Sequence, residues 1–264
     1  MPTRPATADT PTATPYLPPA AAATGADVRL FCFHHAGGAA SAYTGWQERL
    51  GPRVAVLPVQ LPGRERRAAE ARFTRIDALV ADLDRHLDPL LDEPYAFYGH
   101  SMGAIVAYRL ALLRAARGRS LPVRLMVGAY PPPHRLAPIA DALNLDDREL
   151  TRWLVDTGGM SELVLRYPDW VRSALELLRD DLRVCQSHRP PADPPLACPI
   201  DVFAGEQDPL LPLDQVHDWA RHTTGGCRVH TVPGGHFFLH ESSAVLLRTV
   251  GLLLSDRERR PSRI

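Results

Sequence analysis

From about residue 27 onward, short apolar runs alternate with stretches whose apolar residues recur at helical spacing. Segments 28–33, 54–59, 95–98, 125–129, 200–204 and 228–232 read as strands. Between and after them, 42–50, 76–91, 104–117, 213–221 and 243–254 read as helices. In 76–91 the apolar stripe is Ile76, Leu79, Val80, Leu83, Leu87 and Leu90. Apolar strands separated by amphipathic helices predict an α/β fold with a mostly parallel sheet covered on both faces. One region breaks the alternation. Residues 131–198 hold no convincing strand and predict helices over 146–155 and 170–186, an insertion expected to form a helical lid.

The segments outside this pattern are of a different kind. Residues 1–26 are rich in proline, alanine and threonine and read as a disordered tail, and 257–264 as a flexible C-terminal tail, leaving one domain over 27–256. Pro15, Pro18 and Pro19 interrupt the only candidate signal-peptide core. No stretch approaches the roughly 20 apolar residues of a membrane span, so a cytoplasmic location is expected. Thirty basic and thirty acidic residues cancel, and every basic one is arginine. That balance points away from nucleic acid and anionic membranes, and the absence of lysine excludes Schiff-base chemistry. Cys32, Cys185, Cys198 and Cys227 lack the spacing of a metal site, and no metal is expected.

Candidate chemistry centres on Gly99-His100-Ser101-Met102-Gly103, between a predicted strand and a predicted helix. Strand, Gly-x-Ser-x-Gly, helix is the nucleophile elbow, which holds a serine clear of the chain at a helix N-terminus. A base and an orienting acid are then expected on later strand-to-helix loops, in the order Ser, Asp or Glu, His. The loop after 200–204 offers Glu206 and Asp208, and the one after 228–232 offers His236. His236 is the candidate base and Asp208 the candidate acid, with Glu206 and Asp214 as rivals. His240 follows His236 by four residues, but Phe237 stands where a zinc-binding HExxH motif has glutamate. An oxyanion hole needs the N–H after the nucleophile, Met102, and one from the loop after the first strand, where Ala36 lies in Phe33-His34-His35-Ala36-Gly37-Gly38.

Taken together, Phe33-His34-His35-Ala36-Gly37-Gly38-Ala39, Gln60-Leu61-Pro62-Gly63-Arg64-Glu65, the elbow, Gly205-Glu206-Gln207-Asp208-Pro209 and Gly235-His236-Phe237-Phe238 resemble the type II thioesterases. These are free-standing partners of polyketide and nonribosomal peptide synthetases. The resemblance covers residues 28–255 and implies an α/β-hydrolase fold. It also implies hydrolysis of acyl groups from the phosphopantetheine arm of acyl or peptidyl carrier proteins. It further implies no cofactor of the enzyme's own and a monomer. Product-releasing relatives carry the acid one strand earlier, where this chain has Gly128-Ala129-Tyr130-Pro131 and no acid. A small-molecule esterase would use the same three residues. Arg64, Arg66, Arg67 and Arg135 are candidates for steering an acidic carrier.

Overall fold

The computed structural model describes residues 14–18, 25–135, 138–190 and 192–255. Six strands form one parallel sheet: β1 (Val28–Phe33), β2 (Val54–Val59), β3 (Tyr95–His100), β4 (Arg124–Gly128), β5 (Ile200–Gly205) and β6 (Cys227–Val232). Their spatial order is β2-β1-β3-β4-β5-β6, with every pair parallel. Side-chain alternation divides the core. Phe31, Phe33, Val59, Phe97 and Val127 face α2 (Ile76–Leu87), α3 (Met102–Ala116) and α5 (Pro168–Gln186). Leu30, Cys32, Val56, Tyr98 and Met126 face α1 (Trp46–Leu50) and α6 (Ser243–Ser255). Both faces are thus covered, as continuously apolar strands require.

The strand order sets where a site can lie. The chain leaves β1 toward β2, then returns to place β3 on the other side of β1. Loops leaving β1 and β3 therefore diverge, opening a crevice at their C-terminal ends. The loop beginning at His34 and the turn at Ser101 flank that crevice.

Several elements depart from the periodicity. The helix expected over 42–50 is split into a 3₁₀ turn, Ala40–Tyr43, and α1, because Gly45 between them is left-handed (φ 79°). The helix expected over 76–91 ends at Leu87, and a 3₁₀ turn containing Pro89 follows. Residues Leu213–His222 are 3₁₀ rather than α-helical. Within 131–198 the described elements between Pro138 and Gln186 are helical, with α4 (Asp147–Asp156) starting from a capping box between Asp146 and Glu149. The turn after α4 rests on Phe237: a Cβ on Gly159 would lie 3.1 Å from its ring.

The disordered-tail expectation fails at 14–18. Tyr16 is fully buried and Leu17 nearly so. The Tyr16 hydroxyl donates to Asp82, its carbonyl accepts from the Gln60 N–H at 2.8 Å, and Arg67 lies 4.4 Å above its ring. Two buried side chains, Tyr16 and Leu17, and one backbone hydrogen bond fix this segment, although its flanks are proline-rich. Residues 1–13 and 19–24 of the N-terminal tail and the whole C-terminal tail, 257–264, lie outside the described residues.

Candidate active site

Ser101 sits between β3 and α3 with φ 52° and ψ −119°, a conformation costly for any residue but glycine. The turn tolerates it because its neighbours lack side chains. A Cβ on Gly99 would lie 2.6 Å from the Ala104 nitrogen, and one on Gly103 would lie 2.8 Å from the His34 carbonyl oxygen. Each would come closer still to a second carbonyl, that of Gly103 and of Phe33 respectively. The two glycines thus permit the sharp turn and press α3 against the loop leaving β1. The Ser101 N–H donates to the Gly128 carbonyl at 2.8 Å, tying the elbow to the end of β4.

Three side chains that are remote in sequence meet here. His236 Nε2 lies 3.0 Å from Ser101 Oγ, and its Nδ1 lies 2.9 Å from Asp208 Oδ2. A carboxylate can only accept, so Nδ1–H donates and Nε2 is left to receive the serine proton. All three are buried, with Ser101 fully inaccessible. Asp208 is fixed in turn by the Leu210 N–H, 2.8 Å from Oδ1. Among the rivals, Glu206 is exposed and Asp214 lies exposed in the 3₁₀ segment. The loop bearing His236 is braced by side chains from both sides: the Gly234 N–H donates to Gln207 at 3.0 Å and the Gly235 N–H to Glu241 at 2.8 Å.

The candidate oxyanion donors lie on the two segments that the elbow glycines press together. Met102 opens α3, where N–H groups have no intrahelical partner. Ala36 lies in the loop pressed against Gly103 and is also buried. Among the described residues neither N–H donates to a protein acceptor. Two buried donors with no protein acceptor are groups that an anion could satisfy.

One functional residue was not visible in the sequence. His100 is fully buried, its Nε2–H donates to the His236 carbonyl at 2.7 Å, and its Nδ1 lies 3.3 Å from the Tyr98 hydroxyl. Burial above all, then the nearby imidazoles of His236 and His35, holds its pKa well below the usual histidine value, so it stays neutral. It secures the backbone of the base. Its position inside the elbow is unspecified by the motif, so no local signal reveals this role.

The arginines resolve differently from expectation. Arg64 and Arg67 are buried, not rim residues: Arg64 pairs with Asp181, and Arg67 with Glu70 and Tyr16. Arg135 is paired with Asp218 at 2.7 Å. Only Arg66 of the four is exposed without a paired carboxylate among the described residues. No helix among the described residues is long and apolar enough to cross a membrane. No three His, Cys, Asp or Glu side chains among them gather as a metal site would require.

Comparison with known proteins agrees with this geometry. Residues 28–252 match the family model described as Thioesterase domain. The gramicidin S biosynthesis protein GrsT of Aneurinibacillus migulanus is 35% identical over 217 residues, covering 82% of this chain and 85% of GrsT. RedJ, the thioesterase of the prodiginine pathway in Streptomyces coelicolor, is 38% identical, with a TM-score of 0.79 over 87% of each chain. The type II thioesterase BorB of the borrelidin cluster is 36% identical, with a TM-score of 0.79 over 88% of this chain and 94% of BorB. With a parallel α/β sheet, an elbow serine within reach of a histidine and this match over most of its length, the chain belongs to the thioesterase domain family, on the α/β-hydrolase fold.

Proposed function

We propose that this protein is an editing thioesterase that removes acyl groups from the phosphopantetheine arm of acyl or peptidyl carrier proteins in polyketide or nonribosomal peptide biosynthesis. Ser101 Oγ attacks the thioester carbonyl while His236 Nε2 takes its proton. Asp208 holds the imidazole in the required tautomer and stabilises the imidazolium that forms. The oxyanion of the tetrahedral intermediate is received by the Ala36 and Met102 N–H groups. Collapse breaks the C–S bond, and the sulfur takes the proton held on His236 and departs as the free thiol, leaving the imidazole neutral. Water, deprotonated by His236, then attacks the acyl-serine ester, and the intermediate collapses to free acid and Ser101. These steps draw on the chain's own residues and water.

The observation that carries this reading is the His236 imidazole bridging Ser101 and Asp208 at 3.0 and 2.9 Å within a thioesterase-family chain. Two further features favour editing over product release. The acid leaves β5 rather than β4, and the similar BorB is a type II thioesterase. The helical segment at 131–198 serves as a lid in this reading. Its turn after α4 rests on Phe237, whose ring lies 5.2 Å from the His236 ring. Ser101 has no solvent exposure, so access for an acyl group requires this cover to shift.

The test compares hydrolysis of one set of acyl groups on carrier protein and on a free pantetheine analogue. A clear preference for the carrier-bound form is expected. Equal rates on both would point instead to a small-molecule esterase.

A further inference from the structure

The Gln60-Leu61-Pro62-Gly63-Arg64-Glu65 run lies beside the elbow's partner loop, and one of its side chains enters the core. Arg64 and Asp181 of α5 are each more than nine-tenths buried. They meet in a bidentate pair, Nη1 to Oδ2 at 2.7 Å and Nη2 to Oδ1 at 2.8 Å. A buried ion pair is weak support for stability, since apolar side chains of similar volume often do as well. What apolar side chains could not supply are the other hydrogen bonds this pair makes. Asp181 Oδ2 also accepts the Gly37 N–H at 2.8 Å, and Arg64 Nη1 also donates to the Gly38 carbonyl at 3.2 Å. Arg64 Nε donates to the Pro62 carbonyl at 3.2 Å, closing the link to its own loop.

The consequence falls on the peptide groups around Ala36. The Ala36–Gly37 peptide is held at both ends, its N–H by Asp181 and its carbonyl by His35 Nδ1 at 3.0 Å. The carbonyl of the His35–Ala36 peptide accepts from His34 Nδ1 at 2.8 Å and from the Gly38 N–H at 3.0 Å. The N–H of that same peptide, Ala36 N–H, is the one group left free. Arg64 also cancels the Asp181 charge, which would otherwise oppose an oxyanion nearby.

We propose that Arg64 and Asp181 are positioning residues of the oxyanion hole, aiming the Ala36 N–H from α5; this rests on the acyl-transfer reading above. A group that only stapled α5 to the body would support folding and substrate binding without acting on the transition state. A positioning group supports kcat, because displacement of a donor by an ångström is felt in the chemical step.

The experiment uses the full chain as Asp181→Asn, Arg64→Lys and the double variant Arg64→Met/Asp181→Met, the last removing both charges so that neither is left buried alone. Folding is checked by thermal melting. Then kcat and KM for a carrier-bound acyl thioester are measured beside the rate at which a fluorophosphonate labels Ser101, a reaction that places its phosphoryl oxygen in the same hole. We expect kcat and labelling rate to fall together by about 10- to 100-fold in the double variant, with KM within about twofold. Arg64→Lys, keeping the charge but not the fork, falls less. A rise in KM with kcat and labelling unchanged, or no change in the folded variants, overturns the inference. Wild-type protein that is labelled quickly yet hydrolyses no thioester would sink the proposed function, while the labelling rates still decide the role of Arg64 and Asp181.

Discussion

At Asp208 the difference between two carboxylates two residues apart is geometric. Asp208 is buried at 2.9 Å from His236 Nδ1, whereas Glu206 is solvent-exposed, with its N–H bonded to the Val232 carbonyl. Asp208→Asn keeps the shape but offers an amide donor where the imidazole needs an acceptor, favouring the wrong tautomer. Its kcat on an acyl thioester is expected to fall by about a hundredfold or more, while Glu206→Gln stays within about twofold of wild type. Comparable losses in both would mean that Glu206 shares the orienting role. The neighbouring carbonyl of His236, held by His100, gives the base a second restraint through its backbone.

At the scale of elements, the elbow works because β3 and α3 join with no space for a side chain at two points. Gly103→Ala would drive a methyl group into the Phe33 and His34 carbonyl oxygens, both backbone and unable to swing away. The expected cost is about 3 kcal/mol or more, read as a lowered urea midpoint. A variant as stable as wild type would show that α3 can slide away from β1, contrary to the tight seat described. The same contact is what brings the Ala36 loop next to Met102, so local sterics and the candidate oxyanion hole share one cause. Gly128 behaves similarly at the end of β4, where a Cβ would meet the Tyr98 hydroxyl at 3.0 Å and His100 Nδ1 at 3.1 Å. The small end of β4 leaves room for His100 and Phe238, across which the His236 loop reaches the elbow.

Across the described residues, four buried or half-buried histidines are held neutral. Burial is the first cause at His34, His35, His100 and His222, pushing His35 and His222 down to about 4 and the other two well below the usual value. Unfolding restores a pKa near 6.5, so the unfolded chain binds more protons between about 4 and 6.5. Stability is therefore complete above about pH 6.5 and is lost as pH falls through that window, by about 1.4 kcal/mol per pH unit for each fully coupled group. Urea unfolding at pH 7.5 and pH 5 should show a much lower midpoint in acid. Equal midpoints would mean that these imidazoles gain solvent or partners when protonated. Tyr16 belongs to this scale as well, since it fastens the chain ahead of β1 onto α2 and the Arg67 turn.

The alternation of apolar runs and helical stripes determined the parallel α/β sheet, because those periods are written in neighbouring residues. Turn chemistry and chain order likewise made Ser101, Asp208 and His236 legible as the candidate residues that the fold brings within hydrogen-bond distance, since each lies on a loop directly after a strand. Tertiary structure alone decided what depends on contacts between distant segments. Arg64 reads as a solvated charge until Asp181, 117 residues away, is seen to cover it. Tyr16 reads as part of a proline-rich tail until Asp82 and Arg67 are found around it. His100 is one unspecified letter of the elbow until the His236 carbonyl arrives from 136 residues on. Periodicity and turn residues act along the chain, whereas burial and pairing are set by which surfaces the fold brings together, and no local pattern encodes that.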